Sequence, residues 1–474
     1  MDYYHDAGIG WFIYIETTMK NILAHKNILV VGLGKTGLSA MRWLLKQNAN
    51  VFMADSRTNP PGIDNLLRAM PDLKVYAGPF DEEIFLAADL IVVSPGVSLQ
   101  EPALQAAKAK GIDIVGDIEL FAQHRPHYAK VVAITGSNGK TTVTTLVGEM
   151  CKKAGLNTVV AGNIGLPVLD TLDAEFPDVY VLELSSFQLE TTYSLKADVA
   201  TVLNVSEDHM DRYDSIEAYA KAKGRIYENA TLAVVNRDDS WSRALVTSEQ
   251  ISFGLDKAPH YSDYGLINAN GLWLSSGKRK LIQVSELKIA GQHNVANVLA
   301  AAALASSIGV DRSTIISTIR QFKGLPHRVE WVRNISDVDF YDDSKGTNVG
   351  ATYAAIKGMS KNGKPQKVVL IAGGDGKGQD FTPLVDAVKE NARAVILFGR
   401  DAPLLEEVLL TADVPLYDAI SLQEAVVIAQ KLAKPGDAVL LSPACASFDM
   451  FANYIERAEV FVEAVKGLEE AAIC

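Results

Sequence analysis

The stretch of sequence that decides the fold covers residues 130–142 and reads KVVAITGSNGKTT. Its first part, Lys130–Ile134, is a short apolar run typical of a buried strand. The second part turns through Gly136 and Gly139 into a helical pattern that continues to Met150. Glycines at such a turn let backbone N–H groups surround phosphate oxygens at a helix N-terminus. The stretch therefore predicts a strand, a phosphate loop and a helix that bind ATP.

Within this loop, Lys140 is expected to reach the outer phosphates, and the hydroxyl of Thr141 is expected to bind Mg²⁺. The loop departs from the usual G-x-x-x-x-G-K-[ST] pattern, because Ile134 stands where the first glycine should be. The alternative is an ordinary turn rich in Gly and Asn. The predicted ATP contacts of the loop are Gly136, Ser137, Asn138, Gly139, Lys140, Thr141 and Thr142.

A second glycine turn lies nearer the N-terminus. The apolar run Asn27–Val31 leads into Gly32, Gly34 and Gly37, which form G-x-G-x-x-G, and Asp55 follows 18 residues after Gly37. This spacing is typical of a nucleotide-binding βαβ unit with an acid that reads a ribose. By itself it indicates an NAD-dependent oxidoreductase, another nucleotide binder, or a tight turn without a ligand.

Strand and helix patterns alternate along all 474 residues, which predicts an α/β fold in three domains. We expect a Rossmann-like domain over residues 1–118, a central P-loop ATPase domain with a mostly parallel sheet over 119–323, and a Rossmann-like domain over 324–474. Strands of the central domain are predicted at Val179–Leu184, Val199–Val205 and Leu232–Asn236.

Composition narrows the class of protein. The chain is 48% hydrophobic and 22% charged, and Lys+Arg 45 against Asp+Glu 57 gives a net charge of −12, which excludes a global basic field for nucleic acid. Three cysteines suit a reducing cytoplasm. The apolar run at residues 8–15 is far shorter than the roughly 20 residues of a membrane span, so membrane insertion is not expected. No basic segment precedes the run, so a signal peptide is not expected either, and residues 1–18 are interpreted as an extension or a misassigned start.

Three further residues could take part in chemistry. Glu183 ends an apolar strand, where a buried carboxylate needs a cation or a donor. His209 lies in the loop NVSEDHMDRY, and Lys223 follows 14 residues later in a helical stretch. Taken singly, each has a plainer explanation: a strand-end carboxylate in water, a structural histidine and a solvated lysine on a helix face. The loops DDSKGTN at residues 342–348 and GGDGK at 373–377 could hold anions or could be capping turns.

Taken together, eight ordered blocks resemble the Mur ligases, the ATP-dependent amide ligases of peptidoglycan precursor synthesis. The blocks are GSNGKTT, LELSSFQLE, NVSEDHMDRY, GQHNVAN, LPHRVE, DDSKGTNVGAT, GGDGKGQDF and LSPACASFDMF. The resemblance is closest to the branch that adds D-glutamate to UDP-N-acetylmuramoyl-L-alanine. It implies an N-terminal domain for the UDP-sugar, a central ATPase and a C-terminal domain for the amino acid, acting in the cytoplasm as a monomer in cell wall biogenesis, and hence in cell shape and division.

The resemblance also implies roles for individual residues. Lys140, His209 and Lys223 would be catalytic, and two Mg²⁺ ions would be bound by Thr141, Glu183, His209 and Lys223, the last one carbamylated. Further ATP contacts would come from Asn294, Asn297, Arg328 and Asp343. The UDP-sugar would lie on Lys35, Thr36, Asp55, Ser56, Arg57, Gly96, Asn163, Ser185 and Gln188. D-Glutamate would be bound by Lys345, Thr347, Lys377, Ser447 and Tyr454, although the family often has Phe at the last position.

Two alternatives stay open at this point. One is another ligase of the same type, such as a folylpolyglutamate synthetase or the Mur enzyme that adds the third residue, which should lack the glycine-rich first domain or the DDSKGTN and SPACASFDMF blocks. The other is an oxidoreductase that binds NAD at Gly32–Gly37.

Overall fold

The computed structural model describes residues 22–173, 177–246, 249–289, 291–361 and 364–469. The interpretation of residues 1–18 as an extension concerns residues outside these ranges. These described residues form two compact units, one within 22–135, 155–200 and 222–233 and the other within 136–154, 201–221 and 234–469. None of the helices in the described ranges has both the length and the apolar character that crossing a membrane requires.

The first sheet belongs to the first unit and is parallel throughout, in the order β3-β2-β1-β4-β5. Its strands are β1 (Asn27–Val31), β2 (Asn50–Asp55), β3 (Lys74–Ala77), β4 (Leu90–Val93) and β5 (Asp113–Val115). The helices between and after them are α1 (Lys35–Lys46), α2 (Ile63–Ala69), α3 (Glu82–Leu86), α4 (Pro102–Ala109) and α5 (Asp117–His124). The predicted Rossmann-like pattern is confirmed here.

The turn from β1 to α1 shows why the G-x-G-x-x-G motif needs its last glycine, Gly37. A Cβ atom at Gly37 would lie 1.8 Å from the carbonyl oxygen of Gly32. No side chain fits at that distance, so Gly37 lets the first turn of α1 pack directly on the end of β1.

A second sheet has nine strands in the order β14-β13-β12-β11-β10-β9-β6-β8-β7. Its strands are β6 (Lys130–Thr135), β7 (Thr158–Gly162), β8 (Val179–Glu183), β9 (Val199–Val202), β10 (Leu232–Asn236), β11 (Gln250–Phe253), β12 (Tyr264–Asn268), β13 (Leu272–Ser276) and β14 (Arg279–Gln283). The helices of this region are α6 (Lys140–Lys153), α7 (Ser186–Glu190), α8 (Ile216–Gly224), α9 (Ser240–Ala244), α10 (Gln292–Ser307) and α11 (Arg312–Gln321).

The third sheet lies in the second unit and has the order β15-β16-β22-β19-β20-β21, with β15 antiparallel and the other pairs parallel. Its strands are β15 (Glu330–Ile335), β16 (Val338–Asp342), β19 (Val368–Gly373), β20 (Ala392–Phe398), β21 (Leu416–Asp418) and β22 (Ala438–Leu441), and a separate pair is β17 (Ser360–Lys361) with β18 (Lys364–Pro365). The helices are α12 (Val349–Gly358), α13 (Leu384–Asn391), α14 (Ala402–Leu409), α15 (Leu422–Leu432) and α16 (Tyr454–Lys466).

Alternation along β19 explains why this third sheet is covered on both faces. Val368 and Leu370 point into one apolar core, and Val369 and Ile371 point into the other. A parallel strand buried on both faces appears in the sequence as a continuous apolar run, which is what Val368–Gly373 shows.

The structure corrects one prediction in the central region and adds three strands there. The strand predicted at Val199–Val205 ends at Val202, because the residues after it leave the sheet. The antiparallel strands β12, β13 and β14 were not predicted at all. The prediction of α/β sheets that are mostly parallel is confirmed.

Candidate functional site

The phosphate loop lies between β6, which ends at Thr135, and α6, which begins at Lys140. Gly136 and Gly139 have φ values of +151° and +84°. A Cβ atom at Gly139 would also lie 2.3 Å from Oδ1 of Asn297, so a side chain there would have to displace this amide. Glycine at position 139 is therefore favoured by the backbone conformation and by the close approach of Asn297 on α10.

Side chains of the segment after β9 hold the loop in place. The backbone N–H of Asn138 donates to Oδ1 of Asn204 (2.8 Å), and Nδ2 of Asn204 donates to the carbonyl oxygen of Asn138 (3.1 Å). The hydroxyl of Ser137 donates to the carbonyl oxygen of Ser206 (2.9 Å). The side chain and backbone of this segment are thus engaged with the phosphate loop. These bonds to the loop, in place of strand pairing, are the physical reason why β9 is shorter than predicted.

Lys140 bends back over the loop. Its Nζ donates to the carbonyl oxygens of Gly136 (2.7 Å) and Ser137 (2.9 Å). Its ammonium group is thereby held beside the glycine turn, where a bound phosphate would need a cation.

A cavity of about 240 Å³ adjoins the loop, and all of its lining residues belong to the second unit. It brings together seven of the predicted ATP contacts, namely Asn138, Gly139, Thr142, Asn294, Asn297, Arg328 and Asp343. Thr141 is connected to the same wall, because Nη2 of Arg328 donates to its hydroxyl (2.9 Å). Lys345 was predicted to bind the amino acid, and it lines this cavity too.

The sequence analysis missed one wall of the cavity. That wall contains the polar residues Asn204, Asn236 and Asp238 and the apolar residues Leu203, Phe253 and Leu255. They follow or end the strands β9, β10 and β11. Ligands in α/β proteins settle at the carboxyl ends of the strands, so strand position was the signal that could have found these residues. A wall of apolar side chains beside polar ones suits a flat heterocyclic base.

Asp343 is buried at the edge of the cavity. It accepts a hydrogen bond from the hydroxyl of Ser442 (2.7 Å) and another from the backbone N–H of Val329 (3.3 Å). Burial raises the pKa of Asp343 to about 7, although Arg328 acts in the opposite direction.

Lys377 was predicted as a cation for the incoming amino acid, and the structure pairs it with Asp208. Its Nζ lies 2.6 Å from Oδ1 of Asp208, which also accepts from the backbone N–H of His209 (3.0 Å). Burial lowers the pKa of His209, with Asp208 opposing this effect, and this shift favours the neutral ring at pH 7.

Two of the other residues predicted for D-glutamate contact each other. Nζ of Lys345 lies 4.0 Å from the ring centroid of Tyr454, a cation–π contact that Phe at this position would also allow. Ser447 is buried, and the backbone N–H of Thr347 donates to the carbonyl oxygen of Lys345 (2.8 Å).

Arg457 was not singled out from the sequence, yet it connects the two loops that carry these residues. Its guanidinium is completely buried and donates to the carbonyl oxygens of Ser344 (2.9 Å) and Cys445 (3.1 Å). Burial lowers its pKa to about 10, which leaves it charged at pH 7.

In the first unit, Asp55 holds the glycine turn rather than presenting free oxygens. It accepts from the backbone N–H of Leu33 (2.8 Å) and forms an ion pair with Arg57 (2.7 Å). The hydrogen bond from Arg57 lowers the pKa of Asp55 to about 2. Both carboxylate oxygens are engaged, which does not fit a carboxylate that reads a ribose.

Other residues predicted for the UDP-sugar differ in their surroundings. Lys35, Ser56, Gly96 and Asn163 are exposed. Ser185 and Gln188, in contrast, form a capping box at the start of α7, in which Ser185 Oγ accepts from the backbone N–H of Gln188 (3.2 Å).

Glu183 and Lys223 both lie in the first unit, and each is only 1% exposed to solvent. Oε1 of Glu183 accepts from Nδ2 of Asn163 (2.9 Å), while Oε2 is buried with no hydrogen-bond partner among the described residues. A buried carboxylate oxygen of this kind fits a divalent cation, since Mg²⁺ prefers oxygen ligands. The burial of Lys223 shows that the plainer explanation, a solvated lysine, is wrong.

Comparisons with known proteins agree with this architecture. The N-terminal domain of MurD-like Mur ligases matches residues 26–116, the Mur ligase middle domain matches 134–305, and the glutamate ligase domain of Mur ligases matches 327–445. The chain is also similar to solved structures of UDP-N-acetylmuramate-alanine ligase from Thermotoga maritima (TM-score 0.58, 20% identity, 93% of this chain and 99% of that one) and of a pseudomurein peptide ligase from Methanothermus fervidus (TM-score 0.58, 19%, 94% and 100%). At these identities the two structures show the fold alone.

Curated relatives are much closer in sequence. UDP-N-acetylmuramoylalanine--D-glutamate ligase from Methylobacillus flagellatus is 57% identical over 94% of this chain and 98% of its own length. The protein of the same name from Nitrosomonas europaea is 49% identical over 94% and 97%. With three matching domains in order, and a phosphate loop whose cavity is completed by Arg328 and Asp343, the chain belongs to the Mur ligase family.

Proposed function

We propose that this chain is an ATP-dependent ligase that joins D-glutamate to UDP-N-acetylmuramoyl-L-alanine in the cytoplasmic synthesis of peptidoglycan precursors, acting as a monomer. The observation that carries the proposal is the hydrogen bond from Arg328 to Thr141 beside a cavity that Asp343 and Lys345 also line. Residues after position 324 thus contact the phosphate loop, as a ligase requires if one domain activates an acid and another delivers the amine. The names of the relatives supply the substrates.

The chemistry explains why ATP is needed. A carboxylate reacts poorly with an amine because its oxygen is a bad leaving group, so ATP first converts it to an acyl phosphate. The amine of D-glutamate then attacks the acyl carbon, and the tetrahedral oxyanion collapses with loss of phosphate. The acyl phosphate hydrolyses in water, so the site has to close before it forms.

In this scheme Lys140 and Arg328 neutralise the charge that moves between the phosphates during transfer. Mg²⁺ would supply Lewis-acid stabilisation of the phosphoryl oxygens. We propose Thr141 and Glu183 as ligands of one ion and His209 of the other, with Lys223 carbamylated so that a cation becomes a carboxylate-like group. Two observations support these assignments: Oε2 of Glu183 has no hydrogen-bond partner within the described part of the chain, and Lys223 is buried.

For D-glutamate we propose that Lys345 and Lys377 receive its carboxylates, because two cations suit a dicarboxylate. Asp208 holds Lys377 at 2.6 Å, so the substrate has to share or displace this carboxylate. Thr347, Ser447 and Tyr454 complete the proposed set.

For the UDP-sugar the proposed contacts are Lys35, Thr36, Ser56, Arg57, Gly96 and Asn163, with Asp55, Ser185 and Gln188 shaping their surroundings through the bonds described above. The proposed domain boundaries are those predicted from the sequence, after residues 118 and 323.

The alternatives are less well supported. A ligase that adds another residue was expected to lack the glycine-rich first domain, whereas residues 26–116 match the MurD-like N-terminal domain. An oxidoreductase would need Asp55 to accept from a ribose, and both oxygens of this carboxylate already accept other hydrogen bonds.

Release of inorganic phosphate tests the proposal. We expect release only when UDP-N-acetylmuramoyl-L-alanine, ATP and D-glutamate are all present, with a product heavier by one glutamyl residue in mass spectrometry. Release that requires L-lysine or a diamino acid instead would assign the chain to another branch of the family. A change in nicotinamide absorbance without ADP would contradict ligase activity altogether.

A further inference from the structure

Asn348 belongs to the DDSKGTN block, and neither the sequence analysis nor the proposed mechanism gave it a role. It is 3% exposed and is the N-cap of α12, where its Oδ1 accepts from the backbone N–H of Ala351 (2.8 Å). A capping asparagine needs only this one bond. The amide of Asn348 makes three more.

Two of these bonds form a reciprocal amide pair with the phosphate loop. Nδ2 of Asn348 donates to Oδ1 of Asn138 (3.1 Å), and Nδ2 of Asn138 donates to Oδ1 of Asn348 (3.1 Å). Both residues belong to the second unit, although 210 positions separate them in the chain. Asn138 lines the nucleotide cavity, so the pair joins the start of α12 to the loop that is expected to surround the phosphates.

The remaining bond reaches the ion pair proposed to receive the amino acid. Nδ2 of Asn348 also donates to Oδ2 of Asp208 (3.1 Å), while Oδ1 of Asp208 accepts from Nζ of Lys377 (2.6 Å). One buried amide thus fixes the carboxylate that positions Lys377. Since each oxygen of Asp208 has its own donor, moving Asn348 would leave Oδ2 of a buried carboxylate without this bond.

The backbone next to Asn348, at Gly350, also lies close to the phosphate loop and to the segment that supports it. A Cβ atom at Gly350 would lie 2.7 Å from Oγ of Ser206 and 3.2 Å from Nδ2 of Asn138. Glycine therefore lets the first turn of α12 lie directly against the segment that supports the phosphate loop.

From this geometry we infer that Asn348 is a positioning residue that couples the phosphate loop at Asn138 to the Asp208–Lys377 ion pair. Through it, a nucleotide that orders Asn138 also orders the start of α12 and the cation proposed to meet D-glutamate. The role deepens the proposed function and rests on it for the identity of the amino acid. The coupling of Asn138 to the Asp208–Lys377 ion pair can be tested with a nucleotide alone, whichever amino acid the enzyme uses.

Asn348→Ser separates this role from simple capping. Serine still caps Ala351, but its short hydroxyl cannot make the amide pair. In hydrogen–deuterium exchange with mass spectrometry, we expect the amides of residues 136–142 to exchange about tenfold faster than in the unchanged protein, the effect of losing one to two buried hydrogen bonds. A capping role alone would alter only the amides near residue 348.

Two further variants keep the test sharp. Gly350→Ala should produce the same faster exchange at 136–142 by steric means, even if Asn348→Ser folds poorly. Ser421→Ala removes the N-cap of α15, where Ser421 accepts from the backbone N–H of Glu424, and should leave exchange at residues 136–142 unchanged.

Nucleotide binding tests the coupling in the other direction. ATP with Mg²⁺ should slow exchange at residues 345–352 in the unchanged protein and not in Asn348→Ser.

Catalysis gives a second measurement. In Asn348→Ser we expect several ADP molecules for each amide formed, because the acyl phosphate hydrolyses before the amine arrives, whereas the unchanged protein should form them in equal numbers. Exchange at 136–142 that is identical in both variants and the unchanged protein would overturn the inference. Failure of the unchanged protein to form the amide, with the exchange coupling intact, would refute the proposed function and not the coupling.

Discussion

Arg457 donates its Nη2 to the carbonyl oxygen of Ser344 at 2.9 Å, and its Nε donates to the hydroxyl of the same residue at 3.0 Å. The same guanidinium also binds the carbonyl oxygen of Cys445. Ser344 precedes Lys345, and Cys445 lies two residues before Ser447, so one buried cation fixes the loops that carry Lys345 and Ser447, two of the five residues proposed to bind D-glutamate.

Replacement of Arg457 by Lys should therefore damage both stability and amino acid binding. Lysine keeps the charge but cannot reach Ser344 and Cys445 together, and we expect a loss of about 1–3 kcal/mol in the free energy of unfolding. The KM for D-glutamate should rise more than the KM for ATP. Arg320→Lys, in an exposed ion pair with Glu286, is the control and should change neither. Equal KM values in Arg457→Lys and the unchanged protein would contradict this role.

Glu183→Gln tests the proposed metal ligand. Glutamine keeps an oxygen for the bond from Asn163 but removes the negative charge that a Mg²⁺ ion would need. We expect turnover to fall about 100-fold or more, and calorimetry should show that Mg²⁺ no longer strengthens nucleotide binding. Glu217→Gln, an exposed change on α8, should behave like the unchanged protein. Undiminished dependence on Mg²⁺ in Glu183→Gln would remove this residue from the metal site.

Lys223→Ala should nearly abolish turnover, because the proposed carbamate would be lost with the amine. Added formate or acetate should restore part of the activity by supplying an anion at the vacated position. Lys221→Ala, an exposed change on the same helix, provides the matched control. Intact-mass spectrometry offers an independent check, since a carbamate adds one carbon dioxide to the unchanged protein and not to Lys223→Ala. Full activity of Lys223→Ala would show that its burial serves structure only.

The raised pKa of Asp343 leads us to expect that the stability of the nucleotide-free protein depends on pH. Burial raises its pKa from 3.8 to about 7, so between these values the unfolded chain has lost the proton that the folded protein still holds. The free energy of unfolding should therefore fall as pH rises from about 4 to about 7, by at most about 4 kcal/mol. Urea unfolding at several pH values should show this fall, and Asp343→Asn should remove it. Asp386→Asn, an exposed change, should keep it. The same pH profile in Asp343→Asn would assign the effect to other groups.

Local sequence was sufficient to predict the parallel sheets and the phosphate loop. Residues Val131–Ile134 are apolar, Gly136 and Asn138 follow shortly after them, and the backbone conformation at Gly139 is one that glycine alone adopts easily. The hairpin from β12 to β13 was missed although Asn270 and Gly271, which have positive φ, are typical turn residues. Its strands are short, and their alternation is weak.

Burial of single charged residues could not be predicted in the same way. Lys223 lies on a helix whose sequence does not indicate which face is covered, and Arg457 looks like any arginine of an amphipathic helix. Tertiary packing buries Lys223 and surrounds Arg457 with carbonyl oxygens, and the local sequence does not show that packing. The same holds for Asn204 and Asn348, whose partners are distant in the chain.

The support that the phosphate loop receives from Arg328 and Asn348 has a practical consequence for ligand discovery. A fragment library screened against an isolated middle segment that ends before residue 324 would meet a loop in which Thr141 and Asn138 have lost these neighbours. Compounds found that way would be selected for a surface that the longer chain does not present, so a protein that includes the residues after position 324 is the appropriate target.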